Sequence, residues 1–119
     1  MSTVLLDPQP RKKEAIFSAA AQQELSAVHQ LIEFDGSNHV DFYNRYIGDA
    51  DFIIGQPDLD ASLLKRAQKL KAVFNVEGNF MPNIDYEFCF GNGIRVLTPS
   101  SVFSVPVAEI AIGMLLSLA

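Results

Sequence analysis

Glu77, Gly78 and Asn79 are the residues of this chain best suited to meeting an anion. Gly78 permits a positive φ or a close backbone approach. The adjacent N–H groups of the three could form a small nest for a carboxylate. On spacing alone a plainer reading is preferred, in which Gly78 and Asn79 only relieve a tight turn. The other chemically suggestive groups are weaker. Gly91-Asn92-Gly93 is no dinucleotide fingerprint, because Val96 stands in the third glycine's place and the turn follows a helical pattern instead of a strand. His29 and His39 have no ligand-like spacing to a cysteine or a carboxylate pair, so they read as surface or core histidines, and no metal site is expected. Ser100, Ser101 and Ser104 lack a nucleophile elbow and read as turn and cap residues. Asp7 and Asp51 both lie near strands, but Asp51 starts its strand, the wrong end for a shared acidic cluster. Asp85 and Glu87 near a helix start follow from the helix dipole.

The elements that would position these groups alternate between apolar runs and amphipathic ones. Thr3–Leu6 is a buried-strand pattern, closed by Asp7-Pro8-Gln9-Pro10. The spacing of Ala15, Ile16, Ala19, Ala20 and Gln23 predicts a helix from Lys12 to about Ser26. Val28–Phe34 supports a strand before the turn at Asp35-Gly36-Ser37-Asn38. A short helix follows over Val40–Ile47, with Phe42, Tyr43, Tyr46 and Ile47 inward. The strand at Asp51–Ile54 is flanked by Gly55 and Pro57. Asp60 caps the next helix, whose Leu63, Leu64, Ala67 and Leu70 face the core. Ala72-Val73-Phe74 with Val76 reads as a parallel strand apolar on both faces. A helix entered at Asn83 or Asp85 ends at Gly91-Asn92-Gly93, and Ile94–Leu97 is the fifth strand. Strands alternating with helices predict an α/β fold, an open parallel sheet of five strands with right-handed crossovers. Ligands of such sheets bind beyond the carboxyl ends of the strands. That rule selects the loops at Asp7–Pro10, Gly55–Asp58, Val76–Asn79 and Thr98–Ser101.

Composition narrows the function classes. A chain of 119 residues, 49% hydrophobic, is one domain with a single core. Net charge is −5 and the basic residues are scattered, so nucleic acid is not an expected partner. The single cysteine, Cys89, lies between Phe88 and Phe90 and reads as a small core residue. It cannot form an internal disulfide, which fits a reducing compartment. The first residues show no signal pattern, so a cytoplasmic location is expected.

The stretch from Arg95 to Ala119 is unusual. Pro106 falls in the first turn of a helix starting near Ser104. Val107, Ile110, Ala111, Met114, Leu115 and Leu118 share one face, while Ala108, Ile112 and Leu116 make the others apolar. The run is shorter than the roughly 20 residues that span a bilayer, so burial by protein is expected, not a membrane. The expectation is a domain over 1–103 and the start of an interdomain helix over 104–119, cut in mid-helix. Its apolar surface would be covered by a missing domain, a second copy as a homodimer, or both.

From Ala50 onward the sequence resembles the N-terminal part of the D-isomer-specific 2-hydroxyacid dehydrogenases. The likeness is carried by ADFIIGQPDLDASLLKRAQKLKAVF, then Asn83-Ile84-Asp85, Gly93-Ile94-Arg95-Val96, Thr98-Pro99 and Val107-Ala108-Glu109. The opening Val4-Leu5-Leu6-Asp7-Pro8 is compatible with it. The resemblance implies a flavodoxin-like substrate domain joined by the long helix to a Rossmann domain that binds NAD or NADP. It implies interconversion of 2-oxo acids and D-2-hydroxy acids by hydride transfer between the nicotinamide ring and the substrate's carbonyl carbon. Glu77, Gly78 and Asn79 correspond to the family loop whose N–H groups hold the substrate carboxylate, although one residue is inserted before Gly78 and Phe80 replaces a second glycine. Val107 corresponds to the valine that packs near the nicotinamide ring.

The family's glycine-rich fingerprint and its catalytic arginine, glutamate and histidine lie beyond these residues, so no catalytic residue is assigned in this chain and the chain alone is expected to be inert. The alternative, from a different class, is a non-enzymatic peptide-binding or regulatory module of corepressor type on the same fold.

Overall fold

The computed structural model describes residues 2–8, 14, 17–76 and 82–98. Among these residues five strands are present: β1 (Ser2–Asp7), β2 (His29–Glu33), β3 (Phe52–Gly55), β4 (Ala72–Phe74) and β5 (Arg95–Leu97). All ladder pairings are parallel and the order is β2-β1-β3-β4-β5. This is the flavodoxin-like order, which reverses direction at β1/β3. The helices are α1 (Ala19–Val28), α2 (His39–Tyr46), α3 (Ala61–Leu64) and α4 (Tyr86–Gly91), with a 3₁₀ turn at Ile47–Asp49. The expected α/β parallel sheet of five strands is therefore observed.

The register explains the core. Leu5 pairs with Ile53, Ile53 with Val73, and Val73 with Val96. Side chains alternate across a strand, so these four line one face. All four are buried, Leu5, Ile53 and Val73 completely. Tyr43, Ile47, Leu59, Leu64, Ile84 and Cys89 close over them. On the opposite face Phe74 and Leu97 remain 38% and 44% exposed.

Two helices differ in detail from the sequence pattern. The run expected to be helical from Lys12 is interrupted: Glu14 is helical, but Phe17 and Ser18 are not, and α1 begins at Ala19, where the Ser18 hydroxyl accepts from the Ala21 N–H. Asp60 does cap α3, accepting from the Leu63 N–H at 2.8 Å. The α-helix then ends after Leu64 and tightens, with Ala67 N–H bonded to the Leu64 carbonyl and Leu70 N–H to the Ala67 carbonyl. Three-residue steps keep Leu64, Ala67 and Leu70 on one side, and all three are buried. Residues 104–119, where an interdomain helix is expected, lie outside the described residues.

Two glycines are required for different reasons. Gly93 follows α4 with φ 74°, and the next N–H, of Ile94, donates to the Cys89 carbonyl at 2.9 Å, a Schellman-type close. At Gly55, β1 and β3 approach so closely that a Cβ would stand 2.0 Å from the Asp7 carbonyl oxygen. A Cβ at Gly93 would meet nothing within 4 Å. Urea denaturation is therefore expected to show Gly55→Ala costing about 3 kcal/mol or more, from overpacking against backbone. Gly93→Ala should cost only about 1 kcal/mol, from the left-handed backbone. Equal losses at the two positions would contradict the close approach at Gly55.

Candidate functional site

Parallel strands end on the same side, so one step of two residues beyond the apolar layer brings a second row to the carboxyl edge. Asp7 pairs with Gly55, and Asn75 follows Phe74, which pairs with Ile54. Asp7, Gly55 and Asn75 thus extend the Leu5–Ile53–Val73 layer on the same face, and Thr98 extends Val96. The row is polar but buried: Asp7 is 2% exposed and Asn75 4%.

Asp7 is held from α2. The Tyr43 hydroxyl donates to Asp7 Oδ2 at 2.8 Å, and His39 Nε2 lies 3.2 Å from the same oxygen. Asn38 caps α2 by accepting from the Asp41 N–H. That places the His39 and Tyr43 side chains one turn apart on the same face. Phe34 stacks on His39 with ring centroids 4.1 Å apart. Burial first, then the Asp7 charge, pushes the Tyr43 hydroxyl far above the ordinary phenol range. Tyr43 is therefore a fixed hydrogen-bond donor. Asp7 Oδ1, by contrast, is buried without a partner.

A cleft of about 400 Å³ opens beside this assembly, lined by His39 and Tyr43, by Gln56, Pro57 and Asp58 after β3, and by Arg66. The Arg66 guanidinium is already anchored, donating to the Asn44 side chain at 2.6 Å and to its backbone carbonyl at 2.7 Å. On the other side of the β3 loop, Asn83 Nδ2 donates to the Pro57 carbonyl at 2.7 Å, while Leu59 and Asn83–Asp85 exchange backbone bonds. A cleft with this lining can hold a small polar molecule between α2, α3 and the carboxyl end of β3.

The residues singled out from the sequence divide clearly. Glu77, Gly78, Asn79 and Val107 lie outside the described residues. Asp51 stays at the amino end, accepting from the Thr3 N–H at 2.8 Å, with Lys71 Nζ 3.9 Å away. Cys89 is a buried core residue, and burial, then the Asp85 charge, raises its thiol above the usual value. Among the described residues no group of three or more His, Cys, Asp and Glu could hold a metal ion. No helix among them is long and apolar enough to cross a membrane. The sequence reading passed over Asn75 and the union of Asp7, His39 and Tyr43. The only sequence signal for that union was the place of Asp7 at a strand's carboxyl end.

The Tyr43 bond supplies a pH test. Its pKa is raised in the folded state, so the stabilisation is fully present below the ordinary value of 10.0 and is lost as pH rises above it. Tyr43→Phe should cost about 1–3 kcal/mol in urea denaturation at pH 7. It should also lose less stability than wild type between neutral and strongly alkaline pH. The same alkaline loss in both proteins would place the titrating group elsewhere.

No family model matches the sequence, and no curated protein matches it. Solved structures do. A phosphoglycerate oxidoreductase from Rhizobium etli is 39% identical, with a TM-score of 0.82, over 100% of this chain and 37% of its own. The NAD+-bound 3-phosphoglycerate dehydrogenase of Entamoeba histolytica is 24% identical, with a TM-score of 0.68, over 96% of this chain and 38% of its own. A 2-hydroxyacid dehydrogenase from Ketogulonicigenium vulgare is 18% identical, with a TM-score of 0.64, over 98% of this chain and 35% of its own. The last two show likeness of fold alone. The chain spans rather more than a third of each of these proteins. In the β2-β1-β3-β4-β5 sheet and over its full length, the chain is similar to D-isomer-specific 2-hydroxyacid and phosphoglycerate dehydrogenases, with 39% identity to one of them, in a flavodoxin-like part of that fold.

Proposed function

We propose that this chain is the substrate-side part of an NAD(P)-dependent oxidoreductase that interconverts 2-oxo acids and D-2-hydroxy acids, a phosphoglycerate among the candidates. The observation that carries this reading is the 39% identity to the Rhizobium etli phosphoglycerate oxidoreductase across the whole chain. In this reading residues 1–103 hold the acid and residues 104–119 begin an interdomain helix. Glu77, Gly78 and Asn79 offer N–H groups to the substrate carboxylate, and Val107 packs near the nicotinamide. The working enzyme is a cytoplasmic homodimer.

The strand ends themselves do not fit a dinucleotide. A pyrophosphate needs a run of free N–H groups at a tight glycine turn leading into a helix. Here Pro8 follows Asp7 at the end of β1, and Pro57 follows Gln56 after β3, each removing a donor. In this reading NAD or NADP is held by a separate Rossmann domain, and the nicotinamide supplies the hydride when bound. What these residues supply is position. A carboxylate held at the edge of β4 fixes the neighbouring carbonyl carbon, and fixed geometry is worth rate only when donor and acceptor are both present. Proton transfer to the developing alkoxide also needs an acid at hydrogen-bond distance. His39 is committed to Asp7.

The test is a titration of the 119-residue chain with 2-oxo and 2-hydroxy acids, followed by amide NMR, beside an NADH and NADPH oxidation assay. Saturable shifts at the carboxyl ends of β1, β3 and β4 are expected, with no turnover. A flat titration across the panel would overturn the substrate-side reading. Measurable turnover by the chain alone would overturn the division of labour.

A further inference from the structure

Arg66 is a fixed cation without an ion-pair partner among the described residues. Its guanidinium donates to the Asn44 side chain at 2.6 Å and to the Asn44 backbone carbonyl at 2.7 Å. Both acceptors are neutral, and the fork carries more N–H donors than Asn44 uses. Holding so long a side chain in one place costs rotamer entropy. What it leaves is an oriented fork of the kind that matches phosphate and carboxylate.

His39 lines the same cleft of about 400 Å³ between α2 and α3. Its ring is fixed twice, by Phe34 stacked at 4.1 Å and by Nε2 lying 3.2 Å from Asp7 Oδ2. Asp7 is 2% exposed and its Oδ1 has no partner, so the buried carboxylate depends on donors to its other oxygen. A protonated histidine donates from both nitrogens. With Nε2 spent on Asp7, Nδ1 is left for a group outside the fold, and the side chain is 54% exposed to receive one. The exposed Ser62 hydroxyl is in the lining as well. Two further carboxylates border the cleft. Asp60 is spent on the α3 cap, accepting from the Leu63 N–H at 2.8 Å. Asp58 is exposed and its charge opposes an anion.

We propose that the cleft between α2 and α3 is an oxyanion-binding site, in which Arg66 and His39 hold a phosphate or carboxylate group. It uses none of Glu77, Gly78 and Asn79 and does not depend on the function proposed above. Asn44 and Asp7 are positioning residues: the first aims the guanidinium, the second turns the imidazole. The group held is a free ion or the far end of a 2-hydroxy acid.

The experiment titrates the 119-residue chain with inorganic phosphate, D-lactate and D-malate at constant ionic strength, followed by amide NMR. Phosphate should give saturable shifts at His39 and Arg66. Arg66→Met should weaken phosphate binding about fivefold or more. Asn44→Ala, which keeps the cation but removes half its anchor, should give a smaller loss. Asp58→Asn removes the opposing charge and should tighten binding about twofold. D-malate binding about tenfold better than D-lactate, with the gap closed by Arg66→Met, assigns the site to the far carboxylate of a hydroxy acid. Equal binding of those two acids, with phosphate still held, assigns it to a free ion. Phosphate shifts absent from His39 and Arg66, or Arg66→Met binding phosphate like wild type, overturns the site. Should Arg66→Met fail to fold, Asp58→Asn decides: unchanged or weaker phosphate binding overturns the site too. Phosphate binding without any response to either hydroxy acid keeps this site while the substrate-side reading falls.

Discussion

The parallel register of β1, β3, β4 and β5 is the constraint from which the rest of the molecule follows. Because Leu5, Ile53, Val73 and Val96 are in line, the residue two places further on in each strand is in line too. An antiparallel sheet would send alternate strand ends to opposite sides of the domain. Here all ends face the same way, so a change from apolar to polar at one level converts the core's rim into a site. The same four strands that exclude water at Leu5 and Val73 present Asp7 and Asn75 one step later. Fold and site share one geometry, and a slip of one residue in any strand would turn its contribution to the other face.

Closing that rim has a cost that the structure meets unevenly. A carboxylate at 2% exposure is tolerable only with donors. Asp7 has two on one oxygen, Tyr43 and His39, both from α2. They tie the first strand to a helix more than thirty residues away in sequence, and Phe34, Phe42 and Tyr43 form the aromatic packing that supports them. At Gly55 the demand is steric, because β1 leaves no room for a side chain. Asn75 shows neither solution, and its buried side-chain amide stays unmatched.

How far this was legible in the sequence depends on the range of the interaction. Local signals worked: the β-branched runs located all five strands, Asp60 and Asp85 announced caps, and Gly93 announced a helix end. The alternation of elements was enough to imply a parallel sheet. Where two local signals competed, the pattern misled. Ala15, Ile16, Ala19 and Ala20 share helical spacing, but Ser18 within that run is a better cap than a helix residue: it interrupts the run and caps α1, while Glu14 before it is helical. The row of Asp7, Gly55 and Asn75 was not legible, because each member reads locally as an ordinary strand end. Only the strand order, set by packing across the whole chain, makes them neighbours. His39 looked idle for the same reason, its carboxylate partner lying 32 positions earlier.

The two prolines at strand ends bear on the chemistry as well as on the turns. An anion can be bound at a strand end by backbone N–H groups or by side-chain donors. Pro8 and Pro57 reduce the first option beside β1 and β3, leaving those ends to the Asp7–His39–Tyr43 assembly and the cleft beside it. At β4 the next residue is Asn75, whose amide is both donor and acceptor, and the glycine-containing loop begins just beyond it. Among the described residues the carboxyl ends of β1, β3 and β4 therefore offer side-chain groups in place of a run of backbone donors.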